Sequence, residues 1–231
     1  MTGLIRKATL MTLSGLMVAG VAMAGVPSGA NSTVPASKCI KVVGRNSAGA
    51  VDLVGPLKGT FIVNVKDGAP IPNNVVGSNV LIDFRLCPDI RIAVQADQPA
   101  GITVYPGIKS VGAVTDALGN ATFTIVGGAS NGGNGGGVLF PGSGFLTAKV
   151  TADNVFISNL TIAAYDQNFV GGINTVDLGQ LIGDTFSPGA GATAAARSDL
   201  DCSGAVTSAD ISPEIAITFT AFVVSASAAA W

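Results

Sequence analysis

The chain carries the same twelve-residue pattern twice near its C-terminus. The first copy spans residues 166–177 and the second spans 199–210, an offset of 33 residues. Both copies place an oxygen-bearing side chain at the first, third, ninth and twelfth positions. Both also place glycine at the sixth position and a β-branched apolar residue at the eighth. Because Ca²⁺ prefers several hard oxygen ligands around a sharp glycine turn, this spacing predicts two calcium-binding loops.

The repeat extends past both loops. Asp177-Leu178 is followed by Thr185-Phe186 in the first copy, and Asp210-Ile211 is followed by Thr218-Phe219 in the second. The apolar stretch after each loop therefore keeps the same offset as the loop itself. A fixed offset over so long a stretch predicts a duplicated loop–helix unit, since unrelated turns would not share it.

These units resemble type I dockerin repeats, which end each loop in Asp where EF-hand loops usually carry Glu. The resemblance covers about residues 165–222. In the first loop it implies Ca²⁺ ligands at Asp166, Asn168, Asn174 and Asp177, with the Gly172 carbonyl. In the second loop it implies ligands at Asp199, Asp201, Ser203, Thr207 and Asp210, with the Ala205 carbonyl.

Val170 makes the two loops unequal. It stands at the fifth position of the first loop, where a carboxylate or hydroxyl is expected and where the second loop has Ser203. The first loop therefore lacks one ligand, although water can fill a place in the variable coordination sphere of Ca²⁺. We expect two calcium sites, the second being the stronger. For each loop the alternative is a polar turn that holds no ion.

The N-terminus has the features of a secretory signal. Arg6 and Lys7 precede an apolar run from Leu10 to Val21, and Ala22-Met23-Ala24 matches a small-residue cleavage site. A membrane anchor is the alternative, but the apolar run is short and is followed at once by Gly, Pro and Ser. Residues 1–24 are therefore predicted to be removed, which leaves a secreted protein, extracellular or at the cell surface.

The distribution of charge and the absence of histidine exclude several functions. Residues 166–231 hold seven acidic residues against Arg197 alone, whereas residues 25–165 hold nine basic and seven acidic residues. No basic stripe predicts nucleic-acid binding. Without His, the chain cannot form Ser-His or Cys-His catalytic pairs. Glu214 is the sole Glu, and the other acids of residues 25–165 fall mainly in turns, so we expect no enzyme.

Residues 38–165 are predicted to form a β-domain. Short β-branched and apolar segments separated by turn residues fall at 38–44, 59–66, 79–86, 90–94, 102–105, 108–115, 119–126, 144–150 and 153–165. Such spacing favours an antiparallel sandwich. The turn at 115–123 resembles those of bacterial Ig-like domains. The fold predicted is therefore mainly β: an Ig-like β-sandwich, followed at 166–231 by a small α-helical calcium module with an apolar tail.

Three further segments and the cysteines carry weaker predictions. Residues 25–37 are predicted to be a mobile leader, and the glycine-rich stretch at 127–144 is predicted to be flexible. The uncharged segment 215–231 is predicted to be helical to about residue 222, with a strand on a sheet edge as the alternative, and is too short for a membrane span. Cys39 and Cys87 are the preferred disulfide pair. Cys202 is then expected to point outward, either inert or linked to another subunit.

The function predicted is a secreted, non-enzymatic protein that assembles outside the cell through its dockerin-like module. Its partner is a protein, and two identities stay open: a second copy of the chain, giving a filament or surface layer, or a different sandwich-domain protein. A carbohydrate-related module is a third alternative. It is disfavoured because aromatic residues for a sugar platform are few, namely Trp231, Tyr105 and Tyr165.

Overall fold

The computed structural model describes residues 25–46, 49–50, 58–87, 90–129, 147–170, 172–186, 196–220 and 228–231. The predicted signal peptide and most of the glycine-rich stretch lie outside these residues. No helix within the described ranges is long and apolar enough to cross a bilayer.

Strands dominate the described residues. In chain order they are β1 (Cys39–Val43), β2 (Arg45–Asn46), β3 (Gly49–Ala50), β4 (Phe61–Asn64), β5 (Asn79–Asp83), β6 (Ile90–Ile92), β7 (Thr103–Tyr105), β8 (Ser110–Val114), β9 (Asn120–Phe123), β10 (Ile125–Ala129), β11 (Ala148–Ala152) and β12 (Val155–Ala164). Two α-helices follow, α1 (Thr175–Phe186) and α2 (Ser208–Thr220). Each of the nine regions predicted to be strands contains one, because their apolar and β-branched residues suit a pleated, half-buried surface.

Eight strands form one sheet in the order β6-β10-β1-β12-β11-β5-β8-β7. β1 pairs in parallel with both of its neighbours, β10 and β12, while the other pairs are antiparallel. β4 and β9 form a separate antiparallel pair. Their Phe61 and Phe123 rings stack with centroids 5.3 Å apart and join the buried core of the large sheet.

The predicted Ig-like antiparallel sandwich followed by a small α-helical module is wrong. An Ig-like fold divides antiparallel strands between two facing sheets, whereas here one sheet holds eight strands and two parallel pairs. The two helices do not form a unit of their own, because they share a buried cluster with the sheet. Its members are Val43, Ala93, Val126, Ala163, Tyr165, Ile173, Leu181, Leu200 and Ile217. Alternation along a segment predicts a strand but not its partners.

β1 separates two cores. All five of its residues are buried, as expected for a strand with parallel neighbours and both faces covered. Ile40 and Val42 point into the core of the sheet. The alternate residues face the other way: Val43 joins the cluster shared with the helices, and Cys39 reaches the second loop. The helical region is thus built directly on β1.

The sheet curls because its two edge strands, β6 and β7, are close neighbours in the chain. Gln95 begins a single 3-10 turn just after β6. Its amide nitrogen donates to the Ile102 carbonyl at 2.7 Å, and its amide oxygen accepts from the Val104 N–H of β7 at 2.7 Å. One side chain therefore links the two edges, which a flat sheet of eight strands would hold far apart.

Residues 25–37, predicted to be a mobile leader, run beside β4. The Ser28 N–H donates to the Lys66 carbonyl at 2.8 Å, and Thr33 and Asn64 exchange backbone hydrogen bonds at 2.8 and 2.9 Å. An edge strand exposes backbone donors and acceptors that need partners. These contacts provide them on the side of β4 that β9 does not cover.

The C-terminal segment combines both predicted conformations. α2 ends at Thr220, close to the predicted end at about 222, and residues 221–227 lie outside the described ranges. The last four residues are extended beside β6: the Ala230 N–H donates to the Ile92 carbonyl at 2.7 Å, and Ala229 pairs with Ala93. Trp231 packs near Phe84 with ring centroids 6.1 Å apart. The end of the chain therefore covers an edge of its own sheet.

The disulfide joins Cys39 to Cys202, with Cα atoms 5.7 Å apart. The preferred pairing of Cys39 with Cys87 is wrong, as is the expectation that Cys202 points outward. Cys87 lies in the core of the sheet, whereas Cys39 is on the opposite face of β1. The bond therefore ties the second loop to the sheet.

Peptide mapping of the oxidised protein without reductant tests this pairing. We expect one cross-linked peptide pair containing Cys39 and Cys202, and alkylation of Cys87 only after unfolding because that side chain is buried. The bond closes a sequence separation of 163 residues, so reduction should lower the free energy of unfolding by roughly 2–4 kcal/mol. Cys87→Ala is the control and should keep the cross-link. A peptide that joins Cys39 to Cys87 would contradict the arrangement of β1.

Candidate metal centre

Each loop leads into a helix that begins at the tenth position of the loop. The ninth residue caps the helix in both copies. Asn174 Oδ1 accepts from the Val176 N–H at 2.8 Å, and Thr207 Oγ1 accepts from the Ala209 N–H at 3.2 Å. The two copies therefore share a local structure as well as a sequence pattern.

The twelfth residue of each loop completes a capping box. Asp177 accepts from the Asn174 N–H at 2.9 Å, and Asp210 accepts from the Thr207 N–H at 2.7 Å. The second oxygen of each carboxylate accepts an N–H from the start of its own loop, Gln167 at 2.8 Å and Asp201 at 2.9 Å. These bonds draw the two ends of each loop together. A carboxylate offers about four lone-pair sites, so each Asp can also bind a cation.

The backbone turns in the same way in both copies. The fourth residues, Phe169 and Cys202, have left-handed φ values of 57° and 60°. Such values are uncommon for residues other than glycine. Gly204 has φ of 89°, as the predicted glycine turn of the second loop requires. Its counterpart Gly171 lies outside the described residues, and the adjoining Gly172 has φ of 69°. The shared left-handed turn could not be read from the identities of Phe169 and Cys202.

The second loop gathers three carboxylates. Oxygens of Asp199, Asp201 and Asp210 lie within 4.8 Å of one another. Asp199 and Asp210 are buried and Asp201 is exposed. Ser203 Oγ donates to the Ala205 carbonyl at 3.1 Å, which brings together two more of the predicted ligands. Among the described residues, this is the group of acidic side chains close enough to hold one metal ion.

The first loop is less complete. Asp166, Asn168 and Asp177 are buried, and the Asn174 amide donates to the Gly172 carbonyl at 2.6 Å. These predicted ligands are thus gathered in one loop, but they do not include three carboxylates as close together as those of the second loop. Val170 is 66 % exposed and contributes no oxygen from its side chain. The predicted difference between the loops is visible in this geometry.

Burial and mutual repulsion favour the neutral forms of several of these acids. Burial, followed by the charge of Asp166, raises the pKa of Asp177 to about 7. Burial and the charge of Asp210 raise the pKa of Asp199 to about 6, although the N–H of Gly204 opposes the shift. These are the conditions under which a bound divalent cation relieves repulsion.

Lys41 is a neighbour of the second loop that the sequence pattern does not reveal. It lies on β1 and is only 6 % exposed. Burial lowers the pKa of its ammonium, while the charges of Asp199, Asp201 and Asp210 act in the opposite direction. Lys41 therefore faces the acidic group and offsets part of its charge. No local signal could find it, because β1 precedes the loop by most of the chain.

Glu214 is a second acid that the loop pattern omits. It lies on α2, it is completely buried, and neither of its oxygens has a hydrogen-bond partner. Burial raises the pKa of its carboxyl well above the usual range, and the charges of Asp177 and Asp166 add to the rise. The offset of 33 residues is the signal that could have marked it, because its counterpart on α1 is Leu181.

Comparison with known proteins adds no assignment. None of the protein-family models, curated proteins and solved structures compared with this chain matches it. The interpretation of the site therefore depends on its own geometry.

The raised pKa of Asp177 predicts how stability depends on pH when no cation is bound. The folded chain retains a proton between about pH 4 and its pKa of about 7, whereas the unfolded chain releases it. The calcium-free protein should therefore lose stability as the pH rises from about 5 to about 8. Thermal unfolding followed by circular dichroism, in calcium-free buffers, measures this change. Saturating Ca²⁺ should remove the loss, because the cation stabilises the ionised form. A calcium-free protein that is more stable at the higher pH would contradict the prediction.

Proposed function

We propose that this chain is a secreted, non-enzymatic interaction protein that binds Ca²⁺ in both of its duplicated loops. The observation that carries the proposal is the group of three carboxylates in the second loop, whose oxygens lie within 4.8 Å of one another. The repeated cap, capping box and left-handed turn in the first loop support a second site.

The available ligands favour Ca²⁺ over other divalent ions. The second loop offers carboxylate, hydroxyl and carbonyl oxygens, and Cys202 is held in a disulfide. Zn²⁺ prefers nitrogen and thiolate ligands, and the chain has no His. Mg²⁺ requires near-ideal octahedral geometry, whereas Ca²⁺ accepts six to eight oxygens in a flexible arrangement. A twelve-residue loop with a mixture of oxygens suits Ca²⁺ best.

Bound Ca²⁺ would also stabilise the contact between the helices and the sheet. Asp177 and Asp210 are completely buried, and buried charges are costly unless they are paired. The same carboxylates cap α1 and α2, whose residues Leu181 and Ile217 pack in the cluster shared with the sheet. A cation that neutralises these carboxylates therefore supports the caps and, through them, the shared core.

The outer face of α1 favours a protein partner. Val176 and Phe186 are 58 % and 72 % exposed. Gly179 and Gly183 lie between them at helical spacing, and a Cβ atom at either glycine would meet open space. These four residues form one apolar face on the helix surface, which we call the α1 face. Exposed apolar surface of this kind marks interaction sites.

We propose a second copy of the chain as that partner. Residues 166–231 are strongly acidic, with seven acidic residues and one basic residue, whereas residues 25–165 carry a small basic excess. The two parts therefore complement each other between copies, and complementary charge guides association. A head-to-tail contact of this kind would extend into a filament or surface layer unless it closed into a ring.

Calorimetric titration with Ca²⁺ tests the two sites and their ranking. We expect two unequal sites, with Asp210→Ala removing the tighter and Asp177→Ala the weaker. The two variants are matched, because each loses a carboxylate that also completes a capping box. Val170→Asp should tighten the weaker site by adding the missing ligand. Ca²⁺ at a hundredfold excess over Kd should stabilise the fold by about 3 kcal/mol per site.

Asp83→Ala, which removes an acid outside both loops, is the control and should bind Ca²⁺ as the wild type does. Absence of binding by the wild-type protein would end the calcium proposal. Equal losses from Asp177→Ala and Asp210→Ala would contradict the ranking.

Light scattering during size-exclusion chromatography tests the proposed partner. With Ca²⁺ the mature chain should form assemblies that a chelator disperses, and Phe186→Ser should prevent assembly without changing calcium binding. Leu118→Ser is the matched control, because Leu118 is comparably exposed at 63 % but lies far from α1 in the sequence, in the turn after β8. A monomer at high concentration, with or without Ca²⁺, would exclude self-assembly and leave a different protein as the partner.

A further inference from the structure

Glu214 is a buried carboxyl group without a hydrogen-bond partner. Its exposed fraction is 0 %, and neither of its oxygens meets a donor. A polar group in this state is costly to bury, and most buried polar groups in folded proteins are satisfied. The loops and caps described above do not explain it.

The internal repeat indicates where Glu214 points. On α1, Asp184 accepts a hydrogen bond at 2.5 Å from Ser198, the residue just before the second loop. The residues 33 positions away from this pair are Ile217 on α2 and Tyr165, which lies just before the first loop, and both belong to the same buried cluster. Each helix therefore faces the entrance of the other loop. Glu214 lies one turn before Ile217 on the buried side of α2, so it faces the start of the first loop, where Asp166 lies.

The electrostatic environment of Glu214 agrees with this direction. The charges of Asp177 and Asp166, the two acids at the ends of the first loop, raise the pKa of its carboxyl in addition to the effect of burial. Both loop acids are themselves buried. Three carboxyl groups from two repeats therefore influence one another at this place.

The differences between the repeats are complementary. The first loop has Val170 where the second has Ser203, so the first lacks a side-chain oxygen. On the helices the difference is reversed, because α2 has Glu214 where α1 has Leu181. Leu181 is completely buried in the apolar cluster. The loop that lacks a ligand is therefore the one that faces a buried carboxyl group.

We propose that Glu214 is a ligand of the first calcium site, supplied by the second repeat to replace the oxygen that Val170 does not provide. This inference rests on the calcium function proposed above and adds a residue outside the twelve-residue pattern. Ca²⁺ binds six to eight oxygens at about 2.3–2.6 Å, so one ion can accept a carboxylate from a neighbouring helix together with Asp166 and Asp177. The cation also supplies the partner that the buried carboxyl group needs.

This arrangement links the two repeats. A ligand on α2 would make occupation of the first site depend on the packing of α2 against α1. Bound Ca²⁺ would then join the two helices as well as close its own loop. The second site would have no such link, because Leu181 occupies the equivalent position.

Tb³⁺ luminescence provides a measurement that is selective for the first site. Tb³⁺ replaces Ca²⁺ in oxygen sites and is excited through a nearby aromatic ring. Tyr165 precedes Asp166 directly, whereas Ser198 holds the equivalent place before the second loop. Tyrosine-sensitised emission of the full mature chain should therefore report the first site, and Tyr165→Phe should abolish it. Calorimetry with Ca²⁺ then counts both sites.

Glu214→Gln tests the proposed ligand with little change in shape. We expect it to weaken Tb³⁺ and Ca²⁺ binding at the first site at least tenfold, and to leave the site that Asp210→Ala removes unchanged. Asp83→Asn, with the same change of charge outside the loops, should alter neither site. In a Val170→Asp background the loss caused by Glu214→Gln should shrink, because the loop then has its own fifth-position ligand.

Glu214→Leu separates binding from folding. It copies Leu181, so the calcium-free protein should melt at the same or a higher temperature than the wild type while the first site is lost. Wild-type affinity at both sites in Glu214→Gln, together with loss of one site in Asp177→Ala, would overturn the role of Glu214 and leave the calcium proposal intact. Loss of the second site in place of the first would also overturn it. A wild-type protein that binds no Ca²⁺ would overturn both.

Discussion

The burial of β1 on both faces is the constraint on which the rest of this structure depends. Side chains of a strand alternate between its faces, so Ile40 and Val42 enter the core of the sheet while Cys39, Lys41 and Val43 meet the loops and helices. The parallel pairing of β1 with β10 and β12 requires this double cover. The region expected to be a separate module is thus the second layer over the central strand, and its order and that of the sheet are coupled.

The burial of β1 also explains the electrostatics of the candidate metal centre. A buried lysine such as Lys41 is tolerated because three aspartates of the second loop face it. The carboxylates of Asp177 and Asp210 accept helix N–H groups and are also candidate ligands, so one set of atoms serves both folding and binding. The acids repel one another and burial favours their neutral forms. A divalent cation is the counter-ion whose charge and coordination number suit this surplus of carboxyl groups.

The success and the failure of the fold prediction have the same origin. Alternation of apolar and polar residues is a local property, so the segments around β1, β5 and β12 were predictable as strands. The order of strands in a sheet depends on contacts between distant segments. Parallel pairing of β1, and the side chain of Gln95 that joins the two edges, have no local signature. The preference for Cys39 with Cys87 failed for the same reason, because their strand-like surroundings did not show that the two side chains lie on different sides of the sheet.

The sequence by itself determined the parts of this protein whose interactions close within a few residues. These are the strands, the helices that begin at the tenth position of each loop, and the oxygen-rich pattern from Asp199 to Asp210 with its weaker copy. The tertiary structure alone decided which distant groups meet the loops: Lys41 from β1, the disulfide from Cys39, and Glu214 from the helix of the other repeat. The physical reason is distance along the chain. A loop of twelve residues specifies its own turns and caps, whereas its charge balance and remaining ligands depend on residues that only folding brings near.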